Sequence, residues 1–249
     1  MKFKNRKQLG LSLVELMVAL TLSLVVMLVT TSIYVSNKST YRFLDQYSLL
    51  QENGRFAIYY LRENILQAGY PSEAGINAFP TVPTENTYAA GSDDITVSYR
   101  SAIDCLGNAP AGAVGLQLAT NVFSINGTDL QCDGDGLIGG NPVVAAPLVE
   151  GIQNMQIEYG VDTDGDGIAN TYATSTQVEN GIVGVGTPDW PRVVSVRVAL
   201  LVQGGANALD VAAAAEYNVL GQRANFNDRT PRRVFTTTIP LRNRDITVM

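Results

Sequence analysis

The run GLSLVELMVAL at residues 10–20 decides the architecture of this chain. It follows a basic stretch at residues 2–7 and opens an apolar segment in which Glu15 is the one charged residue from Leu11 to Val35. A helix over that segment would be about 37 Å long, enough to cross a bilayer with some tilt. Because basic flanking residues stay in the cytoplasm, we expect a single-pass helix with a cytoplasmic N-terminus.

The processing signal of this segment, Leu9-Gly10, precedes the apolar residues. A secretory signal peptide carries its cleavage site after them, so cleavage at Gly10 would leave the helix on the mature protein. The alternative is an uncleaved signal anchor. A carboxylate at the centre of a membrane helix costs about 2.5–3.5 kcal/mol, which indicates a functional role for Glu15.

These residues resemble the class III leader and helix start of type IV prepilins. The resemblance implies that a prepilin peptidase cleaves between Gly10 and Leu11 and methylates the new amine; Leu11 stands where the family usually has Phe. The new amine and Glu15 are each costly to bury in an apolar helix without an opposite charge. We therefore expect Glu15 to pair with the terminal amine of a neighbouring subunit during filament assembly.

The helical pattern continues beyond the apolar segment. Apolar or small residues recur at steps of three or four as Phe43, Tyr47, Leu50, Gly54, Ile58, Leu61, Ile65 and Ala68. Gly69 and Pro71 then predict the end of the helix. We predict one helix over residues 11–68, about 87 Å long, with its second half packed on a domain.

The runs QENGRFA at residues 51–57 and AGY at residues 68–70 are similar to the PilW family of minor pilins. They are equally consistent with helix surface that packs on a sheet, so we take them as marks of the family and not as a site. With the strand pattern, they indicate an α+β fold of pilin lollipop shape: a long N-terminal helix, transmembrane in its first half, packed on a C-terminal antiparallel β-sheet domain. The predicted parts are a leader (1–10), the helix (11–68, transmembrane over 11–35) and a globular domain (69–249).

Strand-like runs follow an irregular connection from Pro71 to Gly91. They are Ile95–Tyr99, Val114–Leu118, Val122–Ile125, Ile152–Tyr159, Val194–Val202 and Val234–Leu241. The segment Leu201–Arg233 shows little apolar pattern, which predicts a surface loop. It is either a subunit contact or an insertion without a specific partner.

The amino-acid composition disfavours two classes of function, nucleic-acid binding and catalysis. Removal of the leader leaves 13 basic residues against 23 acidic ones, a net charge of −10, which disfavours electrostatic capture of nucleic acid. The chain has no His, so it contains no Ser-His or Cys-His pair, and no phosphate-binding loop motif occurs. We do not expect an enzyme.

Cys105 and Cys132 both lie in the part of the chain predicted to be exported. In an oxidising compartment the simplest pairing is one disulfide, worth about 3–4 kcal/mol in the chain-entropy model. Two free buried thiols are the alternative. A zinc site would need more ligands than two thiolates.

The acidic run DTDGDGIAN at residues 162–170 resembles the opening of an EF-hand loop. Its ligand positions are occupied by the side chains of Asp162, Asp164 and Asp166, the carbonyl of Ile168 and the water-linked Asn170. The twelfth position holds Ala173 where a bidentate Glu is expected, so another group such as Glu179 would have to complete the shell. The two open readings are a weak calcium site, at about 10⁻⁴–10⁻³ M, and a solvated acidic turn.

A shorter acidic run, DGDG at residues 133–136, predicts a turn. The family resemblance implies a minor pilin that primes type IV pilus assembly at the tip. Its expected partners are prepilin peptidase, other minor pilins, the major pilin, a tip adhesin and, before assembly, the inner membrane. The alternatives are a minor pseudopilin of a type II secretion system and an adhesive tip subunit.

Overall fold

The computed structural model describes residues 12–72, 76–83, 85, 91–110, 115–138, 141–142, 144–184 and 186–243. These residues form two compact units that divide between Asp45 and Gln46. The predicted leader and the processing residues Gly10 and Leu11 lie outside the described residues. So does Val114, where one strand was predicted to begin.

A single helix, α1 (Leu13–Gln67), accounts for the N-terminal part of the chain. At its start, the hydroxyl oxygen of Ser12 accepts a hydrogen bond from the backbone N–H of Glu15 at 3.2 Å and satisfies one of the free donors there. At its end, Gly69 has a φ of 78°, and a Cβ at this position would overlap the carbonyl oxygen of Asn243. Glycine therefore ends the helix both by conformation and by close contact.

Twelve strands follow α1 among the described residues, and they pair antiparallel. In chain order they are β1 (Ile95–Ser101), β2 (Gln117–Asn126), β3 (Asp129–Gly134), β4 (Leu137–Ile138), β5 (Asn141–Pro142), β6 (Ala146–Glu150), β7 (Ile152–Val161), β8 (Thr171–Ala173), β9 (Val193–Gln203), β10 (Ala213–Val219), β11 (Gln222–Asp228) and β12 (Arg232–Pro240).

The strands form two four-stranded sheets and two isolated hairpins. The first sheet has the order β1-β2-β3-β6, and the second has the order β12-β9-β7-β8. The hairpins are β4 with β5 and β10 with β11. A long helix packed on antiparallel sheets is the α+β fold that the sequence predicts, so the fold prediction is confirmed.

Two of the predicted strands are in fact one. The structure has the single strand β2 over residues 117–126, where Val114–Leu118 and Val122–Ile125 were predicted separately. The polar residues Thr120 and Asn121 suggested a break between the two apolar runs. Asn121 is fully buried, and its side-chain oxygen accepts a hydrogen bond from the backbone N–H of Cys105 at 2.9 Å, so tertiary contacts satisfy its polarity inside the strand.

The predicted surface loop at Leu201–Arg233 is wrong for most of its length. It begins within β9 and contains the β10–β11 hairpin, whose turn residues Leu220 and Gly221 both have positive φ, at 48° and 83°. That combination is typical of a type I′ turn. The alanine-rich sequence concealed the strand because alanine has a low β-propensity.

The hairpin covers the outer face of the second sheet. Val219 and Ala224 of the hairpin are buried against Ala199 and Leu201 of β9 in a small cluster of their own. The larger core lies on the other face, where the second half of α1 and both sheets meet. The second sheet is therefore buried on two sides, which explains why Leu200 and Leu201 are both fully buried although they point in opposite directions.

Candidate functional site

The first compact unit presents apolar side chains around its whole circumference. Between residues 13 and 35 the large apolar side chains are exposed, with Leu24 at 62% and Met27 at 72%. The helix contains a segment long and apolar enough to cross a membrane. Glu15 is the acid of this segment and is itself exposed at the start of α1.

Several hydroxyl groups in this half of α1 are satisfied within the helix. Thr21 and Ser23 donate to the carbonyls of Val18 and Leu20 at 2.9 Å, and Thr31 donates to the carbonyl of Met27 at 2.8 Å. Such bonds remove the need for water, as residues in a bilayer require. Among the described residues, no hydrogen bond is made to the carboxylate of Glu15.

The second half of α1 is buried along one face. Gly54 permits the closest approach, because a Cβ there would overlap the ring of Phe235 on β12. One residue earlier, the side-chain amide of Asn53 donates to the carbonyl of Glu150 at 3.0 Å. The QENGRFA run therefore supplies packing residues at Asn53, Gly54 and the fully buried Ala57. The AGY run supplies the helix end at Gly69.

A buried polar network ties α1 to the first sheet, and sequence reasoning missed it. The hydroxyl of Tyr99 donates to the side-chain oxygen of Asn64 at 2.7 Å and accepts from the side-chain amide of Asn121 at 2.9 Å. Tyr60 donates to the carbonyl of Cys105. Burial, with Tyr60 nearby, raises the pKa of Tyr99 to about 12. Only the polar groups of Tyr60 and Asn64, next to the predicted apolar stripe, hinted at these bonds.

Cys105 and Cys132 are joined by a disulfide bond, as predicted. Cys132 is fully buried in β3, and Cys105 lies in the loop after β1. Through the backbone of Cys105 the disulfide is linked to both Tyr60 and Asn121. The bridge therefore supports the loop that contacts α1.

The second acidic run, DGDG at residues 133–136, was predicted to be a turn, but its first two residues end strand β3 and only residues 135–136 follow the strand. Asp104 is buried, and its carboxylate accepts the backbone N–H groups of Leu106, Asn108 and Gly136 at 2.8–3.0 Å. A Cβ at Gly134 or Gly136 would overlap this carboxylate. The glycines are therefore required by the contact with Asp104.

The acidic loop between β7 and β8 brings its three aspartates together. One carboxylate oxygen from each of Asp162, Asp164 and Asp166 lies within 4.8 Å of the others, so the cluster could hold a metal ion. Asp162 is buried, whereas Asp164 and Asp166 are exposed.

Backbone N–H groups hold the buried member of the cluster. Asp162 accepts hydrogen bonds from Gly165 at 2.7 Å and from Gly167 at 2.8 Å, and both glycines have positive φ. Burial acts to raise the pKa of Asp162, but these N–H donors outweigh it, and the pKa lies below its usual value. The carboxylate therefore stays ionised, as a metal ligand must.

The remaining predicted ligands are arranged less favourably. The side-chain oxygen of Asn170 accepts the N–H of Thr163 at 2.7 Å, and its amide donates to Asp164 at 3.2 Å. Ala173 lies in β8 and offers no carboxylate. Glu179 accepts the indole N–H of Trp190 at 2.6 Å and is not part of the aspartate cluster.

Two family models and one solved structure match this chain. The model of the Type IV Pilus-assembly protein W family matches residues 120–243, and the prokaryotic N-terminal methylation motif matches residues 5–31. A type IV-like pilin from Thermus thermophilus has a similar structure, with a TM-score of 0.49, 11% identity and coverage of 78% of this chain and 96% of that one. The comparison with curated proteins gave no match.

The long apolar helix, its methylation motif and the antiparallel sheets packed on it define a type IV pilin-like protein. Within that class, the chain belongs to the PilW family of type IV pilus-assembly proteins. The helix and the motif are consistent with a membrane-anchored pilin. Proteins of this family and fold are structural subunits.

Proposed function

We propose that this chain is a minor pilin that helps prime assembly of a type IV pilus and resides at the pilus tip. The observation that carries the proposal is Glu15, a single acid at the start of a helix segment whose apolar side chains are exposed on every side. A helix of a soluble protein does not need apolar side chains on every side, and a helix that only anchors a protein in a membrane does not need an acid. The match to the type IV pilus-assembly family favours a pilus over a type II secretion pseudopilus.

In the proposed sequence of events, prepilin peptidase cleaves after Gly10 and methylates the amine of Leu11. The mature helix then rests in the inner membrane with its N-terminus at the cytoplasmic side and residues 46–249 in the periplasm. When the helix docks beside other pilins, Glu15 meets the amine of its neighbour, which neutralises two charges that are costly to bury separately. Other minor pilins, the major pilin and a tip adhesin are the proposed partners.

The test compares pilus incorporation of three tagged forms in a strain without the native gene: wild type, Glu15→Val and Glu52→Val. Glu52 is an exposed acid in the second half of the same helix and serves as the matched control. We expect Glu15→Val to remain in the membrane fraction but to be strongly depleted from sheared pili. We expect Glu52→Val to behave as wild type.

Equal amounts of wild type and Glu15→Val in sheared pili would overturn the pairing role. A wild-type protein that is absent from pili but required for secretion of folded proteins would identify the pseudopilus instead. Normal pili with lost surface attachment in an acidic-loop variant would favour the adhesive subunit.

We also propose that the acidic loop binds calcium, with Asp162, Asp164 and Asp166 as side-chain ligands, the carbonyl of Ile168 as a fourth and Asn170 acting through water. The support is the convergence of three carboxylate oxygens within 4.8 Å, two of them exposed. Three close negative charges repel one another, and a cation would relieve that repulsion. Because the loop lacks a bidentate Glu, affinity in the range of about 10⁻⁴–10⁻³ M is expected.

Calorimetry and thermal unfolding with calcium chloride test this proposal. Millimolar calcium should raise the melting temperature of the wild type but not that of Asp164→Asn/Asp166→Asn. Asp133→Asn, which changes an acid outside the cluster, is the control and should respond as wild type. The absence of both heat and a thermal shift in the wild type would leave only the solvated acidic turn.

A further inference from the structure

The edges of the two four-stranded sheets differ in how they are covered. Along β1, the N–H of Gly69 donates to Ser98 and the N–H of Arg100 donates to Tyr70, so the segment after α1 covers that edge. The edge strand β6 is short and contains Pro147, and the ladder beside it has a register shift. Proline and an irregular ladder are common protections of edge strands.

The edge of β7 beyond the short strand β8 is also covered. The N–H of Asp93 donates to the carbonyl of Met155 at 2.9 Å, and the carboxylate of Asp93 accepts the N–H of Ile157 at 2.7 Å. A side chain thus replaces the missing neighbouring strand at Ile157. Of the two edge strands of the second sheet, β8 has three residues and β12 has nine, so β12 forms the longer edge.

Along β12, successive residues direct their backbone N–H and C=O groups alternately toward β9 and away from it. Leu241, just after the strand, donates its N–H to Val194 at 2.9 Å, which places Leu241 in a hydrogen-bonded pair. In an antiparallel ladder such pairs alternate, so Thr236 and Thr238 direct their N–H and C=O groups away from β9. Within the part of the chain that the structure describes, no hydrogen bond is made to these outward backbone groups.

Among the described residues, no side chain closes this edge. Thr236 and Thr238 are exposed, and Pro240 occupies the outward position at the end of the strand, where it lacks an N–H. Arg233 is exposed, donates to the hydroxyl of Tyr47 at 3.4 Å and has no carboxylate partner among the described residues. The edge thus offers free backbone groups beside an unneutralised cation.

β12 runs in the same direction as the second half of α1. Arg233 contacts Tyr47, Phe235 covers Gly54, and beyond the strand Asn243 donates to the carbonyl of Leu66 at 3.1 Å. Two copies paired antiparallel through β12 would therefore place these helical segments antiparallel to each other.

We propose that the outer edge of β12 accepts an extended segment of a different pilus subunit as an added antiparallel strand, with an acidic side chain of that segment near Arg233. This inference rests on the proposed minor-pilin function. Strand addition derives its affinity from main-chain hydrogen bonds and its selectivity from flanking side chains, and this edge provides both. It would fix the orientation of a tip partner independently of the contact made by Glu15.

The test is a matched pair of variants in the full-length protein, Thr236→Pro and Thr236→Ala. Proline removes the outward N–H and places a ring at the edge, while the ladder to β9 keeps its bonds; alanine removes the same side chain but keeps the N–H. Thr236→Pro should reduce the amount of protein in sheared pili about tenfold relative to Thr236→Ala, since an added-strand bond and its neighbour are lost. Both variants should remain in the membrane fraction.

A photo-crosslinking amino acid at Thr238, in an otherwise native chain, gives a second reading that does not depend on the folding of the proline variant. An adduct mapped to an extended segment of another pilin subunit is the expected result. A self-adduct, no adduct in piliated cells, or equal incorporation of Thr236→Pro and Thr236→Ala would overturn the inference. If the wild-type protein is absent from pili, the proposed function itself fails. If the wild type is incorporated and Thr236→Pro is incorporated equally well, only strand addition is refuted.

Discussion

The two halves of α1 share one continuous backbone but have opposite surroundings. In the first half, Leu24 is 62% exposed, and its neighbours are exposed on every side. In the second half, Leu61 is fully buried, and Leu50, Ala57 and Ile65 on the same face are buried as well. The first half is apolar all round, which is consistent with a membrane-anchored pilin, whereas the second is apolar on one face because its own sheets cover it. Both halves are therefore helical, and they differ only in what surrounds their side chains.

The sharpest test of this contrast is the pair Leu61→Ala and Leu24→Ala. Loss of the Leu61 side chain should leave a cavity under the sheets and lower the free energy of unfolding by about 2–5 kcal/mol. Loss of Leu24, which contacts no core, should change it by less than about 0.5 kcal/mol. Denaturant unfolding of the detergent-solubilised chain measures both. Similar effects of the two substitutions would contradict the division of the helix.

Removal of the disulfide should loosen the second half alone. Cys105→Ser/Cys132→Ser is expected to lower the free energy of unfolding by about 3–4 kcal/mol in the chain-entropy model. Because Cys105 links the bridge to Tyr60 and Asn121, amide hydrogen exchange should accelerate in residues 57–66 and not in residues 20–40. Uniform acceleration along α1 would show that the bridge has no local role.

The smallest expected effect is a pH dependence of stability that arises from the contacts of the second half of α1. The pKa of Tyr99 is about 12 in the folded chain and about 10 when unfolded, so the contribution of Tyr99 is complete below pH 10 and is lost as the pH rises toward 12. The denaturation midpoint of the wild type should therefore fall in this range. Tyr99→Phe should be less stable at neutral pH, because Asn64 and Asn121 lose a partner, but should show a shallower alkaline decline. Parallel declines for both proteins would exclude Tyr99 as the cause.

Local patterns predicted the parts of the fold that depend on neighbouring residues. The length of α1, its end near Gly69 and the strands β7 and β9 follow from periodicity and turn chemistry. The β10–β11 hairpin escaped prediction because its strands owe their stability to burial on β9 and to the Asp228–Arg232 pair. The Arg232 guanidinium lowers the pKa of Asp228 to about 2, and these atoms meet only after β12 has joined the sheet.

The candidate site was predictable to a similar extent. The convergence of Asp162, Asp164 and Asp166 followed from their spacing and from two glycines in one tight loop. The engagement of Glu179 by Trp190 did not, because no spacing rule joins those residues. The network of Tyr60, Asn64, Tyr99 and Asn121 is likewise assembled from distant segments, and each of its members appears alone as an ordinary polar residue.

The sequence by itself determined that this chain carries a pilin-type membrane helix, because charge, apolar length and one acid act locally and need no fold to be recognised. It also determined the α+β class and the acidic loop, since helical and strand periods and turn residues are local properties. Only the tertiary structure decided which face of α1 is buried, that a hairpin covers the second sheet, and that no strand of the described residues pairs with the outer edge of β12. These features depend on long-range packing, in which each residue is stabilised by partners that the chain brings together only when it folds.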